Sequence, residues 1–263
     1  MSGRPVTVIT GASAGIGAAF ARIFAAHGHE LVLIARREQV LTALADEIAA
    51  GGRPRPTVLA RDLTAPGAAA AIATGLAARG FEPQYVVNDA GFGLLGAAAL
   101  LDRSEQLAMV DLNIRTLVDL SLAFVDSLAR HKGGILNVAS VAAFLPGPRM
   151  AVYYASKAFV LSFSEALYRE LKRRGVRVTV LCPGPVPTEF QARAGIPRGY
   201  HPTVLGMSAE AVARQGYDGL MRGRRRVVPG LANKFITNVV PRLVPRDLLL
   251  RAIELIQAGR FGK

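Results

Sequence analysis

A chain of 263 residues, 51% hydrophobic, holds one large α/β domain or two small ones and has ample material for a core. The lone cysteine, Cys182, excludes an intrachain disulfide and a cysteine-cluster metal site, and His27, His29, His131 and His201 fall at no metal-ligand spacing, so no metal is expected. The net charge of +13 is concentrated late, with 13 Lys or Arg against 4 Asp or Glu from Gln191 onward.

The first element is a short buried strand, Val6-Thr7-Val8-Ile9. It runs into Thr10-Gly11-Ala12-Ser13-Ala14-Gly15-Ile16-Gly17 and then a helix over 18–26. Strand, glycine-rich turn and helix form a cradle for a diphosphate. The glycines let the backbone turn tightly and come close to the anion, and the helix start turns N–H groups and a positive dipole end towards it. The expected cofactor contacts here are Gly11, Ser13, Ala14, Gly15, Ile16 and Gly17.

A second strand, Leu31-Val32-Leu33-Ile34-Ala35, ends in Arg36-Arg37. In dinucleotide folds an acid near this place holds the ribose hydroxyls, whereas an arginine accommodates a 2′-phosphate. Guanidinium matches phosphate in a charge-assisted fork, so NADP is favoured over NAD. The alternative is that both arginines form a solvated helix start.

A helix over 39–50 and a strand over 56–60 lead to Asp62-Leu63. Asp62 has two readings, an acceptor for an adenine amino group or a cap for the helix over 68–79. A fourth strand over 84–87 ends in Asn88-Asp89-Ala90-Gly91. One long helix is expected from 104 to about 129, carrying Asn113. The run Ile135-Leu136-Asn137-Val138-Ala139 reads as a buried parallel strand ending at Ser140, followed by a helix over 154–174 and a strand over 176–181. This alternation predicts a single-domain, Rossmann-like, doubly wound α/β fold with helices on both faces of a parallel sheet.

Tyr153-Tyr154-Ala155-Ser156-Lys157 stands at the start of a helical apolar pattern. Helical positions four apart share a face, which brings the Tyr153 phenol near the Lys157 ammonium. Lowering a phenol by about two units from its usual value near 10 takes roughly 2.7 kcal/mol, within reach of a partly desolvated cation. Tyr153 is thus expected to exchange a proton near neutral pH. Ser140, at the C-terminal end of its strand, lies where open α/β sheets place ligands. Tyr154 lacks the lysine and is expected to pack.

Taken together, these motifs resemble the short-chain dehydrogenase/reductase family over roughly 5–188. Thr10 to Gly17 is similar to that family's cofactor turn and Asp62-Leu63 to its adenine contact. Asn113, Ser140, Tyr153 and Lys157 fall at its tetrad positions, and Pro183-Gly184-x-x-x-Thr188, with Val186 inside it, is similar to the segment that meets the nicotinamide amide. The resemblance implies reversible hydride transfer between NADP(H) and an alcohol/carbonyl pair. By the same resemblance Tyr153 is the general acid, Lys157 lowers its pKa and holds ribose hydroxyls, Ser140 polarises the carbonyl and Asn113 fixes a water. It also adds Asn88, Ala90 and Gly91 to the cofactor contacts, and implies a homodimer or homotetramer. The residues themselves are silent on Asn113, since an Asn within a helix is commonly solvated or locally bonded.

The chain departs from the family at Asp89, where Asn is usual. Ionised Asp only accepts hydrogen bonds, and a buried carboxylate without donors either is costly to the turn and sheet or takes up a proton. Beyond Thr188, the glycines and prolines over 189–207 predict a mobile substrate loop with an apolar inner face of Phe190, Ile196, Tyr200, Val204, Leu205 and Met207, and hence an apolar carbonyl substrate. Ser208 caps a helix to about Met221, and Arg224 to Pro229 offers a short basic strand. The C-terminal amphipathic extension, 230–263, carries two stripes. These are Phe235, Ile236, Val239, Val240 and Leu243, then Leu248, Leu249, Ala252, Ile253 and Ile256, both flanked by basic residues. They cover the pocket, a partner subunit or an anionic membrane; no nucleic-acid motif appears. With no secretory pattern at the start and no uninterrupted apolar run of about 18 residues, a cytoplasmic location is expected, with peripheral membrane contact as the variant. The rival to an enzyme is a non-catalytic NADP-binding sensor or membrane-surface scaffold.

Overall fold

The computed structural model describes residues 3–197 and 206–259. The loop residues Tyr200, Val204 and Leu205, His201, and positions 260–263 of the extension lie outside the described residues.

Seven parallel strands form one sheet in the order β3-β2-β1-β4-β5-β6-β7. They are β1 (Arg4–Thr10), β2 (Leu31–Ala35), β3 (Thr57–Ala60), β4 (Phe81–Asn88), β5 (Gly134–Val138), β6 (Arg177–Leu181) and β7 (Arg226–Val227). The sheet is Rossmann-like and doubly wound, as expected. The order reverses between β1 and β4, and that switch opens a crevice at the C-terminal strand ends.

The central strands are apolar on both faces because helices cover both. Successive residues point to opposite layers. Ile9, Leu33, Val87 and Leu136 meet α1 (Gly15–Ala26), α2 (Glu38–Ala50) and α9 (Ala209–Met221) through Phe20, Phe24, Leu41 and Val212. Their neighbours Val8, Val32, Val86 and Ile135 face α3 (Ala68–Ala77), α5 (Leu117–Ala123), α6 (Val125–Arg130) and α7 (Ala151–Leu171) through Ile72, Leu120, Leu128 and Leu167.

Three segments differ from expectation. The long helix over 104–129 is broken. After α4 (Arg103–Val110) comes a π-helical stretch, Asp111–Thr116, and after α5 the backbone leaves helical geometry at Phe124, with φ −111° and ψ 7°. The expected loop after Thr188 begins with a short helix, α8 (Glu189–Arg193), closed at its start by a reciprocal Thr188–Gln191 capping box.

The C-terminal stripes are also partitioned differently. In α10 (Leu231–Asn238) the buried side chains are Asn233 and Thr237, while Phe235 is 61% exposed. Leu243, ending α11 (Val240–Leu243), is exposed as well. In α12 (Arg246–Gly259) Leu249, Ile253 and Gln257 turn inward, and Leu248 and Ile256 face out. No described helix is long and apolar enough to cross a membrane.

Candidate active site

The phosphate turn is held against the end of β4. Thr10 Oγ1 accepts from the Asp89 N–H at 3.1 Å and the Ala90 N–H at 3.2 Å, and donates to the Val87 carbonyl. Gly11 has φ +69°, and a Cβ there would stand 2.9 Å from the Ala90 nitrogen. Only glycine meets both demands. Ala14 is the extended residue before α1, and no side chain caps that helix in the usual way. Its Gly17 N–H is instead bonded by the Asp89 carboxylate.

That contact answers the departure noted at Asp89. The carboxylate has a backbone donor and the positive end of α1, both favouring charge. Burial still dominates and pushes Asp89 up to about 7, against the Lys157 charge and the Gly17 bond. Asp89 thus takes up a proton far more readily than an ordinary carboxyl.

Arg36 and Arg37 are exposed at the end of β2. Arg37 donates to the Ser13 carbonyl and hydroxyl at 3.1 Å and pairs with Glu189 at 2.8 Å. Arg36 lies near enough to help lower Asp62, although the main cause there is the pair of bonds Asp62 accepts from Thr64. Those bonds, 2.9 Å from the N–H and 2.7 Å from the hydroxyl, make a local turn, so Asp62 does not cap α3, which starts after Gly67. Leu63 is buried, and its carbonyl accepts from Thr116.

Asn88 is the last residue of β4. Its side chain is turned into the interior, donating to Asn137 at 2.9 Å and Ser121 at 3.1 Å. Asn137 continues to Ser164 on α7 at 2.9 Å. This polar chain ties β4, β5 and the helices together beneath the crevice. Ala90 and Gly91, by contrast, stay at the crevice: a Cβ on Gly91 would lie 3.6 Å from Lys157 Nζ.

Ser140, Tyr153 and Lys157 converge. Ser140 follows β5, accepts from the Ala142 N–H and donates to the Pro183 carbonyl at 3.5 Å. Its hydroxyl also hydrogen-bonds the Tyr153 phenol. Lys157 is buried, donates to the Val138 carbonyl at 2.8 Å, and sits 5.9 Å from the centre of the Tyr153 ring.

The expected drop in the Tyr153 pKa is reversed. Burial pushes the phenol up to about 12, with Ser140 opposing and Tyr154 adding to the rise. The ammonium is over the ring and engaged with Val138, so the one-turn spacing brings the residues together without pairing charge and hydroxyl. Lys157 is itself lowered to about 8 by burial, with Asp89 and Cys182 opposing. At neutral pH the constellation is therefore a neutral phenol beside an ammonium, the proton-donating state.

Asn113 is 1% exposed. Its amide donates to the Phe92 carbonyl and to Ser156, each at 3.0 Å, and accepts from the Phe92 N–H at 3.1 Å. The π-helical stretch delivers this side chain inward. At the other rim, Val186 is buried and Thr188 starts α8 after Pro183 and Gly184. The Tyr154 ring covers Gly147, and its hydroxyl accepts from Gln257 at 3.0 Å, so it packs as expected. Beside Tyr153 a gap of about water size is lined by Leu94, Leu101, Gln106, Met109 and Met150.

A sequence model of the family described as short chain dehydrogenase matches residues 5–197. The chain belongs to that family. Sulfoacetaldehyde reductase 2 of Chromohalobacter salexigens is 38% identical over 188 residues, 70% of this chain and 74% of that protein. Among solved structures, a short-chain dehydrogenase from Sphingobium yanoikuyae in complex with NADPH is 31% identical, with a TM-score of 0.80 over 99% of this chain and 96% of that one. A bulky-bulky ketone specific alcohol dehydrogenase from Comamonas testosteroni is 28% identical, with a TM-score of 0.74 over 98% and 93%. A family member from Burkholderia phymatum was solved with NAD, at 26% identity and a TM-score of 0.78 over 92% and 93%.

This short-chain dehydrogenase is thus an oxidoreductase, and the idle-sensor or scaffold reading finds no support among relatives named as reductases and dehydrogenases. Among the described residues no group of three or more His, Cys, Asp or Glu could hold a metal. Cys182 is fully buried, its thiol pushed up to about 12 by burial. Two participants escaped sequence reasoning. Glu189 meets Arg37 across the fold, and Gln257 anchors Tyr154; neither pairing leaves a local pattern.

Proposed function

We propose that this dehydrogenase reduces apolar ketones with NADPH, reversibly, and that Tyr153 is the proton donor. The observation that carries the reading is the convergence of Tyr153 with Lys157 and Ser140 under an apolar roof of Phe190 and beside Met150. When bound, the reduced nicotinamide supplies the hydride. Ser140 donates to the substrate oxygen as negative charge develops on it, and Tyr153 passes its proton to that oxygen. Lys157 holds the ribose hydroxyls and offsets the phenolate left behind. Asn113, by keeping Phe92 and Ser156 fixed, positions the floor of the site and the water that the family resemblance assigns to it.

The residues fit a 2′-phosphorylated dinucleotide. A Cβ on Gly11 would clash with Ala90 and one on Gly15 would press on Thr188, so glycines let the turn pack closely between the end of β4 and Thr188. Gly17, Ser13, Ala14 and Ile16 complete that cradle, while Arg36 and Arg37 supply two cations at the adenine-ribose end. Asp62, Leu63, Ala90, Gly91, Pro183, Gly184, Val186 and Thr188 form the remaining wall. The NADPH complex of the Sphingobium yanoikuyae enzyme supports this cofactor, and the Comamonas testosteroni enzyme supports a bulky ketone. Replacing Arg36 and Arg37 by Ala tests the choice: the KM for NADPH should rise far more than that for NADH, and equal effects would refute it.

We read the chain as one domain with 189–207 as substrate loop and 230–263 as an amphipathic extension, acting in the cytoplasm. Leu107, Leu122 and Phe159, exposed on α4, α5 and α7, favour a homodimer or homotetramer built on those helices. Leu248, Leu255 and Ile256, exposed beside Arg251, favour peripheral contact with anionic lipid. Light scattering and liposome sedimentation at rising salt test the two in turn.

A further inference from the structure

Glu189 is the first residue of α8, and its carboxylate meets Arg37 from the end of β2 at 2.8 Å. The same guanidinium is braced on the phosphate turn by its bonds to the Ser13 carbonyl and hydroxyl, both at 3.1 Å. Directly before Glu189, Thr188 lies on the turn itself, since a Cβ on Gly15 would stand 2.9 Å from its methyl group. The start of the substrate loop is thereby tied to a cation whose position suits a phosphate.

The tie is of a kind that exchanges readily. Arg37 is 46% and Glu189 64% exposed, and ion pairs in water at this exposure contribute little. A phosphate monoester carries up to two negative charges and three acceptor oxygens, and fits the guanidinium fork better than one carboxylate does. Arriving at Arg37, it would take the guanidinium and repel Glu189. The far end of α8 is held separately, by Arg193 on Glu105 at 3.2 Å and by the Leu95 N–H on the Ala194 carbonyl at 2.8 Å.

Building on the NADP reading above, we propose that Glu189 is an internal surrogate for the cofactor's 2′-phosphate. Dinucleotide bearing that phosphate displaces Glu189 and frees the first turn of the substrate loop; dinucleotide with a bare ribose leaves the tie in place. Glu189 is thus a specificity-determining residue that competes with the cofactor's 2′-phosphate and tempers the preference for it. It also couples occupancy at the adenine end to the segment covering Tyr153.

The test is titration of the full chain with 2′,5′-ADP and with 5′-ADP, at low ionic strength, for wild type, Glu189→Gln and Glu189→Asp. Removal of the competitor should tighten 2′,5′-ADP about threefold in Glu189→Gln and leave 5′-ADP unchanged, while Glu189→Asp, which keeps the charge, stays near wild type. A purely structural role for Glu189 would move both ligands together. If Glu189→Gln binds 2′,5′-ADP no more tightly than wild type, or shifts both ligands equally, the surrogate role is overturned while the cofactor reading stands. If wild type itself fails to prefer 2′,5′-ADP, the cofactor reading falls and takes this proposal with it.

Discussion

The Phe190 ring lies 5.2 Å from the ring of Tyr153, inclined at 50°. It also covers Gly93, where a Cβ would come within 2.8 Å of the Phe190 ring edge. Phe190 stands on α8, which is held at its start by the Thr188–Gln191 capping box and at its end by Arg193 on Glu105 and the buried Ala194, so this roof closes over the acid from a separate element. We expect Phe190→Ala to lower KM for bulky aryl ketones several-fold and to raise it for small ones, with Tyr153 chemistry intact. Steady-state kinetics over ketones of graded size checks this, and a uniform loss on all sizes would assign Phe190 to holding Tyr153 instead.

Asp89 bears on stability through its raised pKa of about 7, against an ordinary value of 3.8. A carboxyl whose folded pKa is raised favours folding below its unfolded pKa, and that contribution is lost as pH rises through the folded value. Asp89 therefore burdens the fold increasingly between about pH 4 and 7. Asn keeps an acceptor for the Gly17 N–H without the charge. The gain in Tm of Asp89→Asn should grow from pH 4 to 7 and level off above. A gain that shrinks with rising pH would contradict the burial-driven shift.

Tyr153, raised to about 12, is protonated throughout the neutral range. Ketone reduction needs that proton, so Tyr153 sets no alkaline limit on it below this value. Alcohol oxidation needs the phenolate, whose population rises about tenfold per pH unit. The kcat/KM for oxidation should climb steeply from pH 6 to 8, and a plateau in that range would show that the phenol titrates far lower.

Gln257, 1% exposed, joins α12 to Tyr154 by a bond of 3.0 Å. Gln257→Ala removes this bond, at a cost of about 0.5–1.5 kcal/mol. Faster proteolysis between α11 and α12, with smaller losses in catalysis, is the expected outcome; unchanged cleavage would show that Leu249 and Ile253 alone hold the helix.

Much of the fold was legible in the sequence because the strands are short apolar runs and each functional turn sits at a strand end. Gly11 and Gly17 announced themselves through backbone demands that no other residue meets. The break around Asn113 was not legible, because a helical apolar pattern reads almost unchanged across a local shift to π geometry. Which side of the extension faces inward was not legible for a related reason: its helices bury Asn233, Thr237 and Gln257, polar residues whose partners come from elsewhere in the fold or one turn away. The Tyr153 pKa also needed three dimensions, since spacing fixes which residues are neighbours while burial and the Val138 carbonyl decide the electrostatics.

The most direct test of the account is the reduction of a bulky aryl ketone by NADPH with wild type and Tyr153→Phe, alongside NADPH binding by each. The variant should bind NADPH within about twofold of wild type, since it loses one hydroxyl at the edge of the cofactor site, and should lose at least about 100-fold in kcat, the scale of general-acid catalysis. Ketone reduction that survives in Tyr153→Phe at near wild-type rate would contradict the account.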